Sequence, residues 1–216
     1  MIIHSLKNSV LNSYIAQIRD AKIQKDAMRF RKNIERIGEV LAYELSKKLP
    51  FSEQEIVTPL GKKNMALIDE KIVLCSILRA GLPLHQGVLN VFDEAENAFI
   101  SAYRKHHPNN DKEFSIEVEY FASPSLEGKT LILIDPMLAT GSSMVAVYQA
   151  LKKHGIPKKI HVVSVIGSLQ GVEYVDKHLP KDTELWISAI DDKLNDKGYI
   201  IPGLGDAGDL AFGAKL

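Results

Sequence analysis

One cysteine, one tryptophan and no surplus of charge of either sign mark this chain by what it lacks. Cys75 has no second thiol to pair with, so an intrachain disulfide and a cysteine-caged zinc site are both excluded. The 27 basic side chains balance 27 acidic ones and the isoelectric point lies near 7.1, which argues against bulk neutralisation of nucleic-acid phosphates. No apolar run approaches the roughly 18 residues that cross a bilayer. The start, Met1-Ile2-Ile3-His4-Ser5, lacks the basic flank and long apolar centre of a signal peptide, so a cytoplasmic location is expected.

What is present suits a single α/β domain: 216 residues, 45% hydrophobic and 25% charged, suffice to bury a substantial core. Val10, Leu11, Tyr14, Ile15 and Ile18 recur at helical spacing, as do Ile34, Ile37, Leu41 and Leu45, which predicts helices over about 8–49. Asp26 suits the second N-cap, Lys47 and Lys48 suit its negative end, and Pro50 closes it. These apolar stripes pack inward or on a partner subunit. From residue 71 the pattern becomes apolar strands at 71–78, 98–103, 131–134, 160–166 and 185–190, alternating with helices at 82–91, 142–154 and 170–179. That alternation predicts a central, mostly parallel sheet flanked by helices, with ligands beyond the carboxyl ends of its strands. The turn-formers His106-His107-Pro108-Asn109-Asn110-Asp111, followed by alternation over 116–121, predict a hairpin flap at about 104–121. Cys75 and Trp186, both in apolar runs, read as core, and the histidines show no metal spacing.

Three segments resemble phosphate loops. Gly128-Lys129-Thr130 imitates the end of a nucleotide-triphosphate loop, but Ser123 stands where that motif needs glycine and a strand follows. Gly203-Leu204-Gly205-Asp206-Ala207-Gly208 matches the dinucleotide pattern literally, yet only eight residues follow it, too few for a βαβ unit. The third, Asp135-Pro136-Met137-Leu138-Ala139-Thr140-Gly141-Ser142-Ser143, leaves a buried strand and opens a helix. Small residues at 139–143 let backbone N–H groups approach an anion, and the helix start adds partial positive charge. Asp135 would repel phosphate and is better suited to accepting hydrogen bonds from sugar hydroxyls. Strand, acid and small-residue cup together favour a sugar phosphate over the alternative, a capped turn that binds nothing.

DPMLATGSS at 135–143, LRAG at 78–81 and GYIIPGLGDAGDLAFG at 198–213 together resemble the uracil phosphoribosyltransferases, from about residue 10 to the C-terminus. The resemblance implies the type I phosphoribosyltransferase fold, with a small hood at about 192–216. It also implies the reaction of uracil with phosphoribosyl diphosphate (PRPP) and Mg²⁺ to give UMP and diphosphate. Carried over position by position, the 5′-phosphate would sit on Ala139, Thr140, Gly141, Ser142 and Ser143, with Pro136, Met137 and Leu138 completing the loop. Asp135 would hold the ribose hydroxyls, and Arg79 and Arg104 would contact PRPP. The peptide bond after Arg79 would be cis. Mg²⁺ would be held by the substrate, not by protein ligands. Uracil would be read by main-chain groups of Ile200, Gly205, Asp206 and Ala207. Asp206 would also contact PRPP and is a candidate for accepting charge or a proton from the base. The resemblance further implies a homodimer or homotetramer, and GTP as an effector as in some relatives.

Two positions depart from the family pattern. Ser142 stands where glycine is usual, which would cost strain if that residue needed positive φ. Leu210 replaces a commonly basic residue after Asp209. The rival from another class is a PRPP-sensing regulator that binds pyrimidine-operon RNA on the same fold; the balanced charge and intact base segment count against it. An orotate enzyme would need a cation for the substrate's carboxylate, and 198–213 contain no arginine.

Overall fold

The structure is a computed structural model describing residues 1–5, 8–107 and 110–215, with side chains at 102–119 outside the description. In chain order the elements are β1 (Ile2–Ser5), α1 (Leu11–Arg19), α2 (Ala27–Ser46), β2 (Phe51–Thr58), β3 (Gly61–Ile68), β4 (Ile72–Leu78), α3 (Leu82–Val91), β5 (Glu96–His107), β6 (Asn110–Ala122), β7 (Thr130–Ile134), β8 (Met137–Leu138), α4 (Ser142–Leu151), β9 (Lys159–Ser168), α5 (Leu169–His178), β10 (Glu184–Asp191), β11 (Lys193–Leu194), β12 (Ile200–Ile201) and α6 (Ala207–Phe212). The main sheet runs β1-β10-β9-β7-β4-β5-β6, with β8 also on β9. Every pairing in it is parallel except β5 with β6.

Near-continuous apolar strands require cover on both faces, and both are covered. Leu74, Ile132, Ile134, Val163 and Trp186 pack under α1, α2 and α3 through Leu11, Phe30, Ile37, Leu41, Leu84 and Val88. The alternate residues Val73, Cys75, Leu131, Leu133 and Val162 meet Met144, Val147 and Leu151 of α4 and Val172 and Val175 of α5. Cys75 is therefore core, its thiol pushed up to about 12 by burial. Trp186 is core as well, stacked on His4 at 3.8 Å and donating to His161 Nδ1 at 3.2 Å.

The expected N-terminal helices form, and the Asp26 side chain caps α2 by accepting from Arg29 N–H at 3.0 Å. Their apolar stripes face the sheet. Val10 is the exception, exposed because it precedes the first helical turn. Helix α3 covers 82–91 as expected, while the segment 142–154 divides into α4 and a 3₁₀ turn at Lys152–His154. The flap is a β5–β6 hairpin with Arg104 opposite Ile116. Pro108 and Asn109 at its tip, and the side chain of Arg104, lie outside the described residues.

Besides the two-residue strands β8, β11 and β12 and a 3₁₀ turn at Ile23–Lys25, two larger features have no counterpart in the sequence reading. Edge strand β1 is four residues long, too short for periodicity to register. Strands β2 and β3 form a separate antiparallel hairpin that leaves Val57 and Leu60 exposed, so its burial pattern shows no alternation to read.

Candidate active site

The strand order creates a crevice. From β4 the chain crosses through α3 to β5, and from β7 it crosses through α4 to β9, on the other side and over the opposite face. The connections diverge between β4 and β7, so a cleft opens outside their carboxyl ends. Ser76 pairs with Ile134 there, so the LRAG turn and the Asp135 loop emerge side by side. A Cβ built on Gly81 would lie 3.1 Å from the carbonyl oxygen of Ile134.

The 135–143 loop is held from beneath by β9. Ser164 Oγ donates to the Asp135 carbonyl and Ser168 Oγ to the Ala139 carbonyl, each at 2.6 Å. Both serines are buried. Pro136 O accepts from Val165 N–H at 3.1 Å and Ile166 N–H at 3.0 Å, after which Met137 and Leu138 run along β9 as β8. Leu138 turns its side chain into the core, leaving the backbone as its polar surface. Gly141 caps α4 with φ +75°, and a Cβ there would lie 2.8 Å from the Gly171 carbonyl. The left-handed residue is thus Gly141, and Ser142 occupies the first turn of α4 without that strain. Its hydroxyl lies 2.7 Å from Thr140 Oγ1, so two hydroxyls and the first N–H groups of α4 share one small cup.

Asp135 stands where β7 ends. Burial pushes its carboxyl up to about 7, only partly offset by the hydrogen bond it accepts from Met137 N–H at 3.2 Å.

Arg79 enters from the neighbouring turn. The cis bond of that turn is Leu78–Arg79, one bond earlier than expected. The Arg79 carbonyl is instead committed to the start of α3, accepting from Leu82 N–H at 3.2 Å, while Gly81 N–H closes on Ile77 O at 3.0 Å. The Arg79 guanidinium reaches the hood: Nη2 donates to Asp209 Oδ1 at 3.3 Å and to Gly213 O at 3.1 Å. Its Nε is buried and takes no partner among the described residues.

The hood is built on β11, β12 and α6. Ile200, Leu204, Ala207 and Ala211 sink into the core beside α2, and Leu210 packs against the same core, which accounts for an apolar residue there. Asp206 caps α6 by accepting from Asp209 N–H at 3.0 Å. A Cβ built on Gly208 would come within 3.9 Å of Ala80 Cβ, so the start of α6 abuts the LRAG turn. Among the described residues, no protein group accepts from the N–H of Gly205 or Ala207.

Arg79, the 135–143 loop and the start of α6 therefore meet at the β4/β7 crevice, while Ile200 is sunk in the core beside α2 and Gly205 lies in the loop before α6. The two decoys resolve as expected: Thr130 begins β7, with Lys129 paired to Glu96, and of the 203–208 glycines Gly203 and Gly205 precede a six-residue helix while Gly208 lies in its first turn. A cavity of about 440 Å³ lies elsewhere, at the amino ends of β4, β5 and β7 beside Phe92 and Lys129, and contains none of the motif residues. Among the described residues no three His, Cys, Asp or Glu side chains cluster as metal ligands, and no helix is long and apolar enough to cross a membrane. Sequence reading missed Ser164 and Ser168, although two serines four residues apart in an apolar strand were a signal. It also missed Arg19, Asp191 and the Arg79–Asp209 contact, for which no local pattern exists.

Comparison with known proteins agrees with this geometry. The family model for uracil phosphoribosyltransferase matches residues 5–214. A uracil phosphoribosyltransferase of Porphyromonas gingivalis is 51% identical over 216 residues, covering 100% of this chain and 99% of the relative. That of Methanothermobacter thermautotrophicus is 39% identical over 215 residues, covering 99% and 96%. Among solved structures, the AQ2163 protein from Aquifex aeolicus superimposes with a TM-score of 0.88 at 32% identity, over the full length of both chains. With its motifs in order and its crevice assembled from them, this chain belongs to the uracil phosphoribosyltransferase family.

Proposed function

We propose that this chain transfers the 5-phosphoribosyl group of PRPP to uracil, giving UMP and diphosphate. The observation that carries the reading is the convergence of Arg79, the 135–143 loop and the hood on one crevice, with Arg79 bonded directly to hood residues. The 5′-phosphate sits on the N–H groups and hydroxyls of Ala139 to Ser143. Asp135, with Pro136, Met137 and Leu138 setting its position, accepts hydrogen bonds from the ribose diol. Arg79, whose buried Nε has a donor to spare, takes the diphosphate. Arg104, on the flap strand, is a second PRPP contact. Mg²⁺ would be held by the diphosphate and hydroxyls of PRPP rather than by protein ligands, and would supply positive charge against the leaving diphosphate.

A ring nitrogen of uracil forms the new bond to the anomeric carbon as the bond to diphosphate breaks, and the nitrogen loses its proton. The transition state carries positive charge on the ribose and negative charge on the leaving group, so positioning and Arg79 do most of the work. Asp206 faces this region at the start of α6 and accepts developing positive charge or the proton. Main-chain groups of Ile200, Gly205, Asp206 and Ala207 read the base. Donors aimed at the uracil oxygen would meet an amino group in cytosine, leaving buried donors unpaired.

The same reading makes the chain one domain, 1–216, acting in the cytoplasm in pyrimidine salvage, with GTP as the effector to test. Self-association as a homodimer or homotetramer is supported by the apolar side chains that Phe51, Val57, Leu60 and Met65 expose on the β2–β3 hairpin. The decisive assay follows UMP formation from uracil, PRPP and Mg²⁺ beside cytosine, orotate and hypoxanthine, with and without GTP. Product from uracil alone is expected; equal turnover of another base would overturn the assignment.

A further inference from the structure

A charged clamp holds the hood at Gly203, separate from the Arg79 contacts to Asp209 and Gly213. Arg19, in the last turn of α1, donates from Nη1 to Asp191 Oδ2 at 2.7 Å and from Nη2 to Asp191 Oδ1 at 2.9 Å. Asp191 is the last residue of β10, and both side chains are largely withdrawn from solvent, at 21% and 11% exposure. A bidentate, half-buried pair of this kind is geometrically demanding. It does not end on itself. Arg19 Nη1 also donates to Gly203 O at 3.0 Å, and Gly203 N–H donates to Asp191 Oδ2 at 3.0 Å. Both backbone polar groups of one residue are thereby held by the two members of one ion pair.

Gly203 lies between Ile200 and Gly205-Asp206-Ala207, the segments assigned to reading the base. Its backbone sits at φ +59°, and a Cβ there would come within 2.1 Å of the Ile200 carbonyl, so the loop folds back tightly on Ile200 at this residue. Fixing Gly203 fixes the spacing between those two segments. The PRPP loop is held by different groups, Ser164 and Ser168 of β9.

We infer that Arg19 and Asp191 are positioning residues for base recognition, setting the register of the 200–207 loop and with it the preference for uracil over cytosine. They touch neither substrate. This inference rests on the proposed reading of 200–207 as the base site. Because discrimination depends on the aim of a few main-chain donors and acceptors, a loosened Gly203 should weaken uracil binding selectively.

The test measures both Michaelis constants, kcat, the uracil-to-cytosine ratio and the melting temperature for Arg19→Gln, Asp191→Asn and the double variant. The expected result is a rise of about tenfold in the uracil KM, a fall in the uracil-to-cytosine ratio, and a PRPP KM within about twofold of the parent. The double variant should be no worse than the poorer single one, since each single change strands a charge. Arg19→Lys, which keeps a donor for Asp191, should restore part of the uracil KM; it also serves as the reporter if Arg19→Gln does not fold. An unchanged uracil KM, or equal rises for both substrates, would overturn the inference. Ala207→Pro separates that failure from failure of the base-site reading. Proline is tolerated at the first residue of a helix and removes only the N–H aimed at the base. If Ala207→Pro raises the uracil KM while the Arg19 and Asp191 variants do not, the clamp is merely structural. If Ala207→Pro has no effect, the base site itself lies elsewhere.

Discussion

Ser168 donates its hydroxyl proton to the carbonyl oxygen of Ala139 at 2.6 Å, and its oxygen accepts in turn from Gly171 N–H at 2.9 Å. The residue that caps α5 thus also holds the middle of the 135–143 loop, so the anion cup is tied to a second helix start before any ligand arrives. Ser164, within β9, donates likewise to the Asp135 carbonyl at 2.6 Å but caps no helix.

Replacing Ser168 with alanine leaves the part-buried Ala139 carbonyl without that donor and removes the cap of α5. The expected loss of stability is about 1–3 kcal/mol, read by denaturant unfolding. The PRPP KM should rise several-fold with the uracil KM little changed. A rise confined to uracil would contradict the role given to this loop.

Asp135 links activity and stability to pH in opposite senses. Its carboxyl titrates near 7 in the folded protein rather than near 3.8, because burial penalises the ionised form. Between those values the folded chain keeps a proton that the unfolded chain has released, so this group's contribution to stability falls as pH rises through that window. PRPP recognition needs the carboxylate to accept from the diol, so kcat/KM for PRPP should climb across pH 7. Asp135→Asn should melt higher than the parent at pH 8, lose about tenfold or more in kcat/KM, and show no such limb. A parent profile flat between pH 6 and 8 would refute this.

Asp206 holds two assignments that substitution can separate. Asparagine keeps an acceptor for the Asp209 N–H but removes the charge, whereas alanine removes both. Asp206→Asn should retain the melting temperature with reduced kcat, and Asp206→Ala should lose about 1 kcal/mol of stability besides. Near-normal turnover in Asp206→Asn would end its acid–base role while leaving the cap intact.

Neighbouring residues in the cup should differ sharply in how much they tolerate substitution. Ser142 has no left-handed backbone to relieve, so Ser142→Gly should cost up to about 1 kcal/mol in helix propensity and raise the PRPP KM about two- to threefold through the lost hydroxyl. Gly141→Ala meets positive φ and the Gly171 carbonyl together, and should abolish PRPP binding. Calorimetric titration with PRPP and Mg²⁺ reads both. Tighter binding by Ser142→Gly would show that serine is a handicap.

Local rules made much of this protein legible in one dimension. Apolar runs at 72–78, 131–134 and 160–166 announced strands covered on both faces, because burial on two sides leaves no alternation. Asp26 announced a helix start, and the small residues at 139–143 announced a tight turn into α4. These are short-range consequences of hydrogen-bond satisfaction and side-chain size. Where burial was slight, as in the β2–β3 hairpin, or the element very short, as in β1, the signal vanished.

What the amino-acid order by itself determined was therefore most of the run of elements, the strand-to-helix turn at 135–143 and the family. Only the folded chain decided which strands are neighbours, and hence that the crevice lies between β4 and β7. It alone brought Arg79 to Asp209 across 130 positions and Arg19 to Asp191 across 172. Such pairings leave no periodic trace, because they form where two packed layers converge and depend on the whole core being in place.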